Sequence, residues 1–281
     1  LPGPERATED LALIVHAARE AGAFVLDRMT RPYKTTQKPG TPTPWGKMDD
    51  SPVTEVDLET DALLTRILRD ARPDYGWLSE ETADDHQRLA RSRTFIVDPI
   101  DGTTAFLKSR PEFTIVVSVA DMGRPVVAAV FNPMTGEMFA AGQGLGATLN
   151  GQPMRVSARN QIEGARMLGN AEFFGHPAWP VKWPPLVLEK RASLAYRMAL
   201  IAAGRFDGML ALNPKHEWDI CAGALLVAEA GGLSSNHDGS AWSFNKADAR
   251  EPSMVCAGPI LHGLILDHIK DVRIPKTSTH G

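Results

Sequence analysis

The chain has 281 residues, 43% of them hydrophobic and 23% charged, and a formal net charge of −4 at pH 7. That length holds a sizeable core, and the composition excludes a disordered or fibrous chain. The small excess of acid gives no reason to expect a nucleic-acid polymer or a membrane as partner, and no apolar run is long enough to span a bilayer.

In chain order, Thr8 reads as the cap of a first helix, with Leu11, Ile14, Val15, Ala18, Val25 and Met29 at helical spacing. The stretch from Thr35 to Lys47 is too rich in Pro, Gly and Lys for a regular element and reads as a loop that could close over a site. Thr54 and Asp57 make a Thr-x-x-Asp start for a second helix, in which Asp57 could serve only as the cap partner. The apolar Trp77-Leu78 then delivers Glu80 and Glu81, while Asp84 to Arg88 reads as a solvated surface turn.

Phe95-Ile96-Val97 reads as a buried strand that Pro99 ends, since proline has no N–H for the ladder. Asp98 and Asp101 are left at its exit, where two close carboxylates repel each other unless a cation lies between them. Hard divalent cations take such oxygen ligands. Gly102 allows close backbone approach, and Thr103-Thr104 can open a helix whose free N–H groups favour an anion. An Asp-Gly turn of no chemical consequence fits the same residues, so this stretch alone leaves both readings open. Alternating apolar strands with hairpin turns follow to about Val156, and the texture then changes. Strands near Gly164–Gly169, Gly208–Leu212 and Met254–Ala257 alternate with helices at Ser193–Ala203, Trp218–Ala230 and Leu261–Ile269, around a Pro- and Trp-rich connection from Pro177 to Pro185 that the pattern does not place. An α+β half, 1–157, and an α/β half, 158–281, are expected, with chemistry at their junction. Cys221 and Cys256 lie in apolar segments and are expected as buried free thiols of a cytoplasmic protein, and the N-terminal residues do not read as a signal peptide.

Asp98-Pro-Ile-Asp-Gly-Thr103 and Trp218-Asp219 with Glu229-Ala-Gly-Gly232 together resemble the paired signatures of the inositol monophosphatase superfamily, over about residues 8–260. The resemblance implies a five-layer αβαβα sandwich and a phosphomonoesterase using two or three Mg²⁺ ions, with Mn²⁺ as a substitute and Li⁺ as an inhibitor. It makes Glu80, Asp98 and the Ile100 carbonyl ligands of a first metal, and Asp98, Asp101 and Asp219 ligands of a second. Thr103 and Asp57 would orient the attacking water, Glu81 would act behind the ligands, and the Gly102 and Thr103 amides would cradle phosphate. The Thr35–Lys47 stretch would be a catalytic flap. His216 reads as a packing residue and Glu229 as a structural partner.

Within the superfamily, Lys47-Met-Asp-Asp-Ser-Pro-Val-Thr54 and Phe106-Leu-Lys108 resemble the 3′(2′),5′-bisphosphate nucleotidases. Lys47, Lys108, Ser193 and Leu212 are then expected at the substrate, Leu212 standing where inositol phosphatases commonly have a glutamate. Hydrolysis of adenosine 3′,5′-bisphosphate is the expectation that follows, with an inositol or sugar monophosphatase as the alternative and a non-catalytic interaction protein as a third reading. The expected partner is a small phosphate ester, and a homodimer is allowed.

Overall fold

Helix α1 begins earlier than the pattern at Thr8 suggests. It spans Pro4–Arg28 in the computed structural model, which describes residues 4–37, 41–42, 48–49 and 52–273. Proline suits a first helical turn, whose N–H groups have no intrahelical acceptor. Helix α2, Glu55–Ala71, starts as expected: the Thr54 hydroxyl accepts from the Val56 and Asp57 amides, and Asp57 accepts the Thr54 N–H in return. Both helices lie against one face of a seven-stranded sheet, burying Ile14, Ala18, Val25, Leu64 and Leu68 against Phe95, Val97, Val117 and Ala129. Each such large aliphatic side chain contributes roughly 1.5–3 kcal/mol on burial.

The strand order of that sheet is 152–153, 146–149, 137–142, 124–132, 114–121, 93–101 and 76–79. Gly76–Ser79 runs parallel to Arg93–Asp101, and the remaining neighbours are antiparallel. Pro99 does not end its strand. The pairing with Thr114–Asp121 slips between Asp98 and Asp101, and this bulge absorbs the missing donor while the strand continues to Asp101. Beyond it comes the short helix α3, Thr103–Leu107.

Residues of the other sheet face, such as Ile96, Val116, Ala128 and Phe139, meet helices α5, Leu194–Ala202, and α6, Glu217–Glu229. The short helix α4, Ala171–Phe174, precedes α5 in the chain. A Cβ on Gly223 would come within 2.6 Å of the Met198 Cβ, so glycine is what allows α5 and α6 to pack this closely. Under these helices lies a five-stranded sheet in the order 187–189, 166–168, 208–211, 254–257 and 233–235, and helix α7, Pro259–Ile269, covers its far side with Leu261, Ile265 and Ile269. The sequence is helices, sheet, helices, sheet, helix: the expected five-layer sandwich of mixed α/β sheets. The Pro177–Pro185 stretch packs Trp179 and Trp183 against Phe173, Phe174 and His268 on the outer side. Cys221 and Cys256 are buried and free. Among the described residues no helix is long and apolar enough to cross a membrane.

Candidate active site and metal centre

Three carboxylates converge between the layers. Ligand oxygens of Asp98, Asp101 and Asp219 all lie within 4.8 Å of one another, although they come from the bulged strand end and from the first turn of α6. Asp98 and Asp101 are buried, and Asp219 is half-buried. Burial raises the pKa of all three. Mutual repulsion adds to it: Asp98 is pushed well above the ordinary range by burial and then by Glu80, Asp101 and Asp219. Asp219 is likewise well above it, with Lys215 offsetting part of the effect, and Asp101 rises to about 6. An all-oxygen set of buried carboxylates that destabilise one another suits a hard divalent cation.

Each member is held. Asp98 Oδ1 accepts the Ile100 N–H at 3.0 Å, which uses the bulge to fix the carboxylate. Asp101 takes three donors from the start of α5: the Ser193 hydroxyl at 2.7 Å, the Leu194 amide at 3.2 Å and the Ala195 amide at 2.6 Å. Asp219 accepts the His216 N–H at 3.2 Å, and the His216 ring stacks on Trp218, which is the packing role expected of that histidine.

Asp57, on α2, closes the helix cap and also reaches Thr103. Its Oδ2 closes the cap with the Thr54 N–H and hydroxyl, and its Oδ1 lies 3.2 Å from the Thr103 hydroxyl. That hydroxyl is also 3.1 Å from the Ile100 carbonyl. Burial raises the Asp57 pKa, against its bonds to Thr54 and Thr103. Glu80 follows the Gly76–Ser79 strand, its N–H donating to the Val97 carbonyl, and its charge raises Asp57, Asp98 and Asp101 together, which places it facing the same centre. Glu81 is half-buried beside it. Gly102 adopts φ +94°, and a Cβ there would come within 3.1 Å of the Ser193 nitrogen, so the α3 and α5 starts can approach only at glycine. Thr103, as the first residue of α3, has no intrahelical acceptor for its N–H.

The expected substrate contacts fare differently. Lys47, like most of the Thr35–Lys47 flap, lies outside the described residues. Lys108 is exposed at the end of α3. Ser193 is fully buried, so it holds Asp101 rather than reaching for substrate. Leu212 packs its side chain against the cluster of Leu210, Val255 and Leu261, on the outer side of the five-stranded sheet. Two residues escaped the sequence reading. Asp61 accepts from the Thr82 hydroxyl at 2.6 Å and from Ser79, pinning the turn that carries Glu80 and Glu81. Arg88, expected on a solvated turn, is 2% exposed, because its guanidinium is enclosed by hydrogen-bond acceptors from two parts of the fold. Glu229 is structural, as expected, taking the Gly144 and Gly146 amides of a hairpin turn.

Residues 7–273 match the model of the inositol monophosphatase family. Nus factor SuhB of Escherichia coli (strain K12) is 32% identical over 240 residues, covering 82% of this chain and 85% of that protein. Inositol-1-monophosphatase of Rhizobium meliloti (strain 1021) is 35% identical over 195 residues, 66% of this chain and 73% of that protein. The crystal structure of extragenic suppressor protein suhB from Bartonella henselae superposes with a TM-score of 0.78 at 26% identity, covering 94% of this chain and all of that one. None of these relatives is named a bisphosphate nucleotidase, so they give the finer resemblance drawn from the Lys47–Thr54 segment no support. The chain belongs to the inositol monophosphatase family and is a phosphomonoesterase of that family.

Proposed function

We propose that this protein hydrolyses inositol 1-phosphate or a related polyol phosphate with Mg²⁺ held by Asp98, Asp101 and Asp219, assisted by Glu80 and the Ile100 carbonyl. The observation that carries the reading is the Asp98–Asp101–Asp219 cluster, whose carboxylate oxygens lie within 4.8 Å of one another. Bound metal would neutralise the phosphate charge, lower the pKa of a water and stabilise the leaving oxygen. The chain's own groups supply the rest. Asp57, locked through Oδ2, accepts the Thr103 hydroxyl proton on Oδ1, which leaves the Thr103 oxygen free to accept from a water and orient its lone pair. The Gly102 and Thr103 amides would cradle the substrate phosphate at the α3 start. Glu81 would act behind Glu80, and Lys108 is exposed at the end of α3.

The choice of a polyol over a nucleotide bisphosphate rests on the inositol-1-monophosphatase relative. Phosphate release from a panel of phosphomonoesters, with Mg²⁺ and after exhaustive chelation, tests it. Turnover that survives chelation would remove the metal, and turnover confined to adenosine 3′,5′-bisphosphate would restore the nucleotidase. The relatives named Nus factor SuhB motivate a second reading, as a component of a protein assembly. Absence of phosphate release from every ester would leave that reading standing.

A further inference from the structure

We infer that Arg88 is a positioning residue of the metal centre, a buried latch that fixes the Glu80–Glu81 turn of one sheet relative to the Asp219 helix beside the other. Its guanidinium donates to Asp84 through Nε at 3.1 Å and Nη2 at 2.7 Å, which closes the far end of the turn that carries Glu80 and Glu81. The near end of that turn is pinned by Asp61 through Ser79 and Thr82. The remaining donors cross the molecule: Nη1 to the Asn245 side-chain oxygen at 2.7 Å and Nη2 to the Lys246 carbonyl at 2.8 Å. Residues 245 and 246 in turn donate their amides to the carboxylate of Glu217, at 2.6 and 3.1 Å. Glu217 is the first residue of α6, fully buried and two positions before Asp219.

One guanidinium therefore relates carboxylates that arrive on separate elements, and its planar fork makes the relation directional, which a lysine could not do. Asn245 holds a left-handed conformation, φ +60°, that aims its side chain at Arg88 while its N–H serves Glu217. A site that binds a cation through oxygens from several segments depends on such supports, whose loss costs about 10–100-fold in metal affinity or activity.

The inference rests on Glu80 and Asp219 being metal ligands, and the test separates the two. Mn²⁺ binding is titrated by calorimetry on the full chain in Arg88→Gln, Asn245→Gly and Asp219→Asn, alongside phosphate release and the melting temperature of the metal-free proteins. Glycine keeps the left-handed backbone at 245 and removes the side-chain amide that accepts from the Arg88 guanidinium and donates to the Arg88 carbonyl, so Asn245→Gly gives a folded variant if Arg88→Gln does not. Expected is Mn²⁺ affinity weakened by about tenfold or more in both latch variants, with kcat recovered to within about threefold of the parent at saturating metal. Parental Mn²⁺ affinity in the folded latch variants overturns the latch, even with a lower melting temperature, since that is all a structural tie would change. Parental affinity in Asp219→Asn overturns the metal site itself.

Discussion

The Ser193 hydroxyl donates to Asp101 at 2.7 Å, so the residue that caps helix α5 also holds a carboxylate 92 positions earlier in the chain. The same oxygen accepts the Tyr196 amide at 2.9 Å and lies 3.0 Å from the Thr114 hydroxyl. Helix start and buried carboxylate are one construction, and damage to either reaches the other.

Ser193→Ala removes a helix cap and one of three donors to a buried carboxylate. Caps are worth about 1 kcal/mol and a hydrogen bond to a charged group about 1.5–3 kcal/mol. The Leu194 and Ala195 amides remain, so the loss should sit near the lower end, about 1–2 kcal/mol. Urea unfolding measures it. Ser193→Thr, which restores hydroxyl and cap, should recover most of the loss, and an alanine variant as stable as the parent would show that the bond carries nothing.

Asp98→Asn should separate stability from function. Burial and four neighbouring acids raise the Asp98 pKa, so an ionised carboxylate there destabilises the metal-free fold. Asparagine keeps an oxygen for the Ile100 amide and drops the charge. The metal-free variant should melt several degrees higher than the parent, on the order of 1 kcal/mol or more, yet release phosphate at least ~100-fold more slowly. A lower melting temperature would mean that the carboxylates are already neutralised within the chain.

The pH dependence follows with its sign. Asp98 and Asp219 lie well above the ordinary carboxylate value and Asp101 rises from 3.8 to about 6, so between those values the native metal-free protein binds more protons than the unfolded chain. Stability from these groups is therefore present at low pH and lost as pH rises through their folded values. Metal binds the deprotonated carboxylates and reverses the trend. Thermal melts at about pH 5 and about pH 7 should show the chelated protein losing stability across the interval, and Mg²⁺ adding more at the higher pH. An increment independent of pH would contradict a site built on these carboxylates.

What the residues revealed and what they hid have a common physical origin. The Thr54–Asp57 cap is local, and its two residues state it; the Asp98–Asp101 pair is fixed by the proline and glycine beside it. Asp219 needed a second segment, and only the resemblance of Trp218-Asp219 and Glu229-Ala-Gly-Gly232 to a family signature pointed to it. Arg88 and Asp61 went unread because Asp84, four positions from Arg88, looks like a surface partner, while Asn245 and Thr82 lie 157 and 21 positions away from them, and a charged residue in a polar turn reads as solvated. Ser193 was expected at the substrate, and its donation to Asp101 depends on how the layers stack. Pro99 misled for the opposite reason: a missing donor ends a regular ladder, and a bulge is the irregular solution that keeps the strand.

Leu212 decides the last prediction, which concerns substrate. Counting back from Asp219 puts it where a hydrogen-bond acceptor for ring hydroxyls would be expected, and from that count alone an inositol ester would lose about 1–3 kcal/mol of binding. The side chain packs against the cluster that holds Leu210, Val255 and Leu261, so the leucine is a core residue. On the proposed polyol reading, inositol 1-phosphate should show a higher kcat/KM than adenosine 3′,5′-bisphosphate when both are measured with Mg²⁺. Leu212→Ala should cost about 1–3 kcal/mol of stability, as a partly buried leucine truncation does, while leaving the ratio of the two kcat/KM values within about threefold of the parent's. Glutamate at this position would bury a charge among aliphatic side chains and lower stability further without improving inositol turnover. If Leu212→Glu instead raises kcat/KM for inositol 1-phosphate selectively, the side chain faces substrate in the working enzyme, and the missing acceptor is what limits inositol turnover.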